Sequence, residues 1–95
     1  MTTAYYMVKN GNALFGRDGI GLAGKAIEQG IRWSGWKMKS KAIEQMNEMK
    51  TYGWQDDHFE VVKVEAEDHI SGVLFDGKRI RKLFRTQILN VATVA

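Results

Sequence analysis

Apolar and polar positions change period several times along this chain, and each change predicts an element. Tyr5-Tyr6-Met7-Val8-Lys9 is β-prone and runs into Asn10-Gly11. Asn-Gly is the strongest short hairpin signal, because both residues tolerate positive φ in a type I′ turn. Asn12-Ala13-Leu14-Phe15 is the expected return strand, so a hairpin is predicted over 4–16. A glycine-rich connection, Gly16 to Gly21, follows it.

The period then becomes helical. Ala23, Ala26, Ile27, Gly30 and Ile31 fall on one face with Lys25, Glu28, Gln29 and Arg32 outside, predicting a helix over about 22–33. A second helix is predicted over about 40–52. Ser40 reads as its N-cap, Ala42, Ile43, Met46 and Met49 as its buried stripe, and Gly53 as its C-cap. Lys-Ala-Ile-Glu-Gln occurs in both segments, at 25–29 and 41–45, but at a spacing that fits no common repeat architecture.

From His58 the pattern is that of a strand, over about 58–66. Val62, Val64 and Ala66 share one face, whereas Phe59 and Val61 have the opposite parity. That conflict requires either a bulge or a strand covered on both sides. Gly72-Val73-Leu74-Phe75 and the Asp76-Gly77 turn open a second paired unit over 70–89. Its return arm has two readings: Ile80, Leu83, Phe84 and Ile88 fit a helix, and Lys78 to Lys82 fits a short strand. The tail from Asn90 to Ala95 reads as frayed or extended. Together these elements predict an α+β fold: one small domain over 1–95, with an antiparallel sheet of about three to five strands and two helices packed on one face.

Composition narrows the class. At 95 residues there is room for one modest core, and 44% hydrophobic residues is too many for a disordered chain. No apolar run approaches the roughly 20 residues that cross a bilayer, so no membrane partner is expected. Without cysteine there is no disulfide, thiolate metal site or cysteine nucleophile. The start, Met1-Thr2-Thr3-Ala4-Tyr5, has no secretory pattern, so a cytoplasmic location is expected. Ten glycines and no proline leave turns to glycine and Asn/Asp chemistry.

The richest candidate motif is Gly19-Ile20-Gly21-Leu22-Ala23-Gly24-Lys25-Ala26, which matches both G-x-G-x-x-G and G-x-x-x-x-G-K. Ahead of a helix, such glycines expose backbone N–H groups to a phosphate, making Gly19, Gly21, Gly24 and Lys25 anion-binding candidates. Two features weaken a nucleotide site. Ala26 stands where the metal-ligating hydroxyl belongs, and the preceding hairpin argues against a parallel βαβ unit. His58 and His69 lie among carboxylates but lack metal-ligand spacing, and no serine has nucleophile-elbow context. No enzyme activity, cofactor or metal is therefore expected.

The remaining chemistry is cationic and aromatic. Lys78, Arg79, Arg81, Lys82 and Arg85 supply five of the fourteen cations in the chain. With Lys37, Trp33 and Trp36 they form the expected partner-binding surface. Phosphate attraction plus stacking on tryptophan would suit nucleic acid. The net charge is only +3, and eleven acids dilute the field. Trp54 and the methionines Met38, Met46 and Met49 offer an adaptable protein-binding patch, and leave a homodimer open.

The segments Tyr6-Met7-Val8-Lys9-Asn10-Gly11, Trp36 to Glu44 and Phe59 to Glu65 together resemble short phage-encoded accessory proteins: a hairpin, a Ser-led helix with Ala, then a strand ending in acids. The resemblance covers about two thirds of the chain and implies an inhibitor of a host protein or defence complex, anti-CRISPR-type proteins among them, acting in the host cytoplasm. It carries over no site residue. A weaker resemblance, through Leu14-Phe15-Gly16-Arg17-Asp18-Gly19, Ala26-Ile27 and Ile31-Arg32-Trp33, is to papain-like hydrolases, with His58 in the place of their base. Without the nucleophilic cysteine it implies an inactive relative. The expected function is thus non-enzymatic: occlusion of a site on a larger protein, with nucleic-acid binding as the alternative and anion binding at 16–25 as a second.

Overall fold

A computed structural model of the chain describes residues 1–11, 13–17, 19–22, 35–70, 73–75, 80–83 and 86–95. Among them are β1 (Thr2–Lys9), β2 (Ala13–Gly16), β3 (Gly19–Leu22), α1 (Lys39–Tyr52), β4 (Phe59–Ala66), β5 (Val73–Phe75), β6 (Ile80–Leu83) and β7 (Ile88–Thr93). Five strands form an antiparallel sheet in the order β3-β2-β1-β4-β7, and β5 pairs with β6 as a separate ribbon. The chain is an α+β domain.

The first hairpin forms where Asn-Gly predicted it. Asn10 and Gly11 have φ of 53° and 69°, the positive values a primed turn needs. The ladder resumes with Lys9 opposite Ala13, and the expected first residue of the return strand, Asn12, lies outside the described residues. Asn10 also ties this turn to the approach of β4. Its N–H donates to the His58 carbonyl (2.7 Å), its Oδ1 accepts from the His58 N–H (2.8 Å), and its Nδ2 donates to Asp57 (3.0 Å).

β1 and β4 pair in one unbroken register, from Thr2 opposite Ala66 to Lys9 opposite Phe59. There is accordingly no bulge between Val61 and Val62, and the parity conflict resolves the other way: both faces of this pair are covered. On one side Met7, Ala13, Phe15, Phe59 and Val61 pack with Ala42 of α1, joined by Ile43, Met46 and Met49. On the other, Ala4, Tyr6, Val8, Leu14, Val62, Val64 and Ala66 pack against Ile70, Val73, Phe75 and Ile80. The ribbon thus does for one face what the helix does for the other. Each large apolar side chain so buried contributes roughly 1.5–3 kcal/mol.

α1 ends as expected, with the Gly53 N–H donating to the Met49 carbonyl. Its start differs. Met38 is the N-cap, its carbonyl accepting from the Lys41 and Ala42 N–H groups (3.2 and 3.3 Å), and no side chain caps it. Ser40 is already inside the first turn, because packing of fully buried Ala42 against the sheet sets where the helix begins.

Two further expectations change, and two open readings resolve. Gly19–Leu22 is strand β3, with Phe15 opposite Ile20 and Leu14 opposite Gly21, rather than a loose connection entering a helix at Leu22. The rest of the expected helix over 22–33 lies outside the described residues, among which there is one helix and not two. Residues 80–83 are a strand, so Ile80 and Leu83 share no helix with Ile88. The Asp76-Gly77 turn lies outside the described residues. Of the two readings of the tail the extended one holds: residues 88–93 form β7, which continues the sheet beyond β4.

Beyond the reach of β2, the free edge of β1 is taken by Trp36. Tyr5 and Trp36 exchange N–H to carbonyl bonds, both 2.8 Å. Gly35 makes this approach sterically available, since a Cβ there would stand 2.7 Å from the Tyr5 carbonyl oxygen and 2.9 Å from the Tyr6 ring. Gly35→Ala is therefore expected to destabilise the fold by roughly 1–3 kcal/mol, read as a fall in thermal midpoint. An unchanged midpoint would refute the steric account. Asn10→Gly keeps the positive φ but removes the side-chain bonds, so it should cost about 1 kcal/mol. Asn10→Ala should cost more, because it loses both. Urea unfolding of the pair checks that order.

Candidate functional site

The helix-side core is not sealed at the Asn10 end of the sheet. Phe15 of β2 and Phe59 at the start of β4 approach each other there, with ring centroids 6.3 Å apart. Trp54, delivered by the turn after α1, closes the triangle at 5.7 Å from Phe15 and 6.3 Å from Phe59. Phe15 and Phe59 are buried, whereas Trp54 stays 39% exposed. Trp54 is thus anchored from beneath and open from above.

Cations frame this surface. Lys9 Nζ lies 4.7 Å from the centroid of the Trp54 ring, and Lys50 Nζ lies 6.0 Å from that of Phe59. Such contacts are worth about 0.5–1 kcal/mol at exposed sites. Tyr52, 82% exposed, stands beside them, and a depression of about 350 Å³ is lined by Met49, Tyr52, Gly53 and Trp54. Carboxylates are present too. Asp57 accepts from Asn10, and Asp56 is exposed on the same turn, whereas Glu60, 3.3 Å from the His58 ring, lies on the ribbon face with Val62. The surface is aromatic with mixed charge.

The residues expected from the sequence are dispersed. Trp36 is half-buried in the helix-side core, while β6, which carries Arg81 and Lys82, belongs to the ribbon on the opposite face of the sheet. Lys82 sits opposite Leu74 in the ribbon register. Lys37 is exposed and lines a separate cavity of about 190 Å³ with Thr2, Thr3, Arg17, Gly35 and His69. Trp33, Lys78, Arg79 and Arg85 lie outside the described residues.

Of the glycine motif, Gly19 and Gly21 lie in β3, while Gly24 and Lys25 lie outside the described residues. Extended backbone pairing with β2 is a different geometry from N–H groups converging at a helix start. His58 and His69 flank β4, whose eight residues span roughly 26 Å at about 3.3 Å each. Among the described residues no three His, Cys, Asp or Glu side chains are placed to hold a metal ion. Among them, too, no helix is long and apolar enough to cross a membrane.

Trp54 was legible as an aromatic beyond the second helix. What sequence spacing could not reveal was that Phe15, Phe59 and Lys9 meet it, since the contacts span up to 45 positions. Compared with protein-family models, curated proteins and solved structures, the chain matches none. Its function is therefore argued from its own surface.

Because Trp54 stacks on two core rings, its loss also opens the core. Trp54→Ala should destabilise the fold by about 1–3 kcal/mol, whereas Tyr52→Ala, whose side chain is largely in solvent, should change stability by less than about 0.5 kcal/mol. Chemical denaturation of the two variants checks this contrast.

Proposed function

We propose that this chain is a non-enzymatic binding protein, of the phage-type modulator class its sequence resembles, which occludes a site on a larger protein. The observation that carries this reading is Trp54, backed by Phe15 and Phe59 and framed by Lys9 and Lys50, with the exposed Tyr52 beside it. Aromatic side chains that are half-exposed yet held in place lose little freedom on binding, which is why Trp and Tyr dominate interface hot spots.

The charges around the platform favour a protein over a nucleic acid. Asp56 and Asp57 lie on the turn that follows Trp54, and carboxylates there repel a phosphate backbone. A protein surface with its own mixed charges can be complementary to this pattern. The expected partner offers an apolar recess for Trp54 and Tyr52, with acidic groups opposite Lys9 and Lys50.

Affinity capture from host-cell lysate, repeated with Lys9→Glu/Lys50→Glu and with Tyr52→Ala, tests this reading. One stoichiometric protein should be recovered by wild type, and titration with that purified protein should show each variant binding at least about tenfold more weakly. Equal affinity of wild type and both variants would overturn the assignment. So would tight binding of single-stranded oligonucleotides whose affinity falls steeply with salt.

A further inference from the structure

The strand at the β4 edge of the sheet is unusual in its chemistry. Among the described residues β7 hydrogen-bonds to β4 alone, so the backbone groups along its other side have no strand partner there. Natural edges of this kind are usually blunted by charge, above all lysine, or by proline. Here the whole segment Thr86-Gln87-Ile88-Leu89-Asn90-Val91-Ala92-Thr93-Val94-Ala95 carries neither a charged residue nor a proline, in a chain where 26% of residues are charged.

The side chains tell the same story. Leu89 is 53% exposed, and Ile88 and Val91 reach the ribbon-side core only as half-buried neighbours. A cavity of about 540 Å³ runs along this strand, bordered by Val8, Glu60, Val62 and Ile80 as well as by β7. Residues of both parities in β7, Ile88 through Thr93, line it. From the edge it extends over the ribbon face of β4 and β1, to Val62 and Val8.

We propose that β7 is the seam of a symmetric homodimer, pairing antiparallel with β7 of a second copy. An unblunted edge is satisfied by another strand, and this one suits itself. Antiparallel self-pairing about a two-fold axis normal to the sheet sets only uncharged residues opposite one another, so no like-charge contact opposes it. A two-fold near Asn90 joins the two sheets into one of ten strands, with both α1 helices on the same side. Leu89 is then covered by the neighbouring strand. This seam is remote in sequence and position from the Trp54 platform, so its test is independent of the proposed function.

Sedimentation velocity from low micromolar to near-millimolar concentration should show a monomer–dimer equilibrium. Leu89→Lys and Asn90→Lys, both at exposed positions, should weaken dimerisation at least about tenfold while circular dichroism melts remain those of a folded protein. The chain has no native cysteine, so a nitroxide on Asn90→Cys reports the seam directly. Residue 90 and its copy would be about 5–8 Å apart at Cα, and dipolar broadening should appear there but not for a label on Tyr52→Cys. A protein that stays monomeric throughout this range overturns the proposal. So does a dimer that both lysine variants leave intact and that shows no broadening at position 90.

Discussion

The pairing of β1 with β4 is the interaction on which the rest of this molecule depends. Eight consecutive residues of each strand are in register, and this pair is the centre of the five-stranded sheet. Because side chains alternate across a strand, one register decides both cores at once. Tyr6 and Val62 belong to the ribbon-side core, and Met7 and Val61, one step along, belong to the helix-side core. A slip by one residue would exchange the two sets. Both would then meet surfaces shaped for the other.

That double burial explains why so short a chain is well packed. A single-faced antiparallel sheet leaves half its side chains in water, and a small domain has few to spare. Here α1 and the β5–β6 ribbon cover opposite faces of the same central strands, so Tyr6, Met7, Leu14, Val61 and Val64 are all fully buried. The Cα radius of gyration, 12.2 Å, matches the roughly 12 Å expected of a compact domain of this length. No disulfide or metal is involved in the described packing.

The two proposed surfaces follow from where this sandwich runs out. At the Asn10 end the helix-side core emerges through Trp54, held by Phe15 and Phe59 but not enclosed. At the β7 edge the sheet ends in an uncharged strand. Both are continuations of the core to the surface. Trp54 is held because its neighbours Phe15 and Phe59 are buried, and its position is set by the same register that sets the fold.

Local patterns were legible in the sequence wherever the signal was itself local. Asn10-Gly11 specified its turn through backbone sterics, the Ala42/Ile43/Met46/Met49 stripe specified α1, and Gly53 its end. The parity of Phe59 and Val61 against Val62 and Val64 even posed the right question, one covered face or two. Only tertiary structure answered it, because the answer lies in Phe75 and Ile80, far along the chain. The same holds for the glycine motif, whose residues Gly19 to Leu22 pair with β2 instead of opening a helix, and for Ser40, displaced as a cap by the packing of Ala42. The candidate site was hidden for a related reason. Its members were visible one by one, but their meeting depends on distant segments finding one register, and that free energy is not written in any local window.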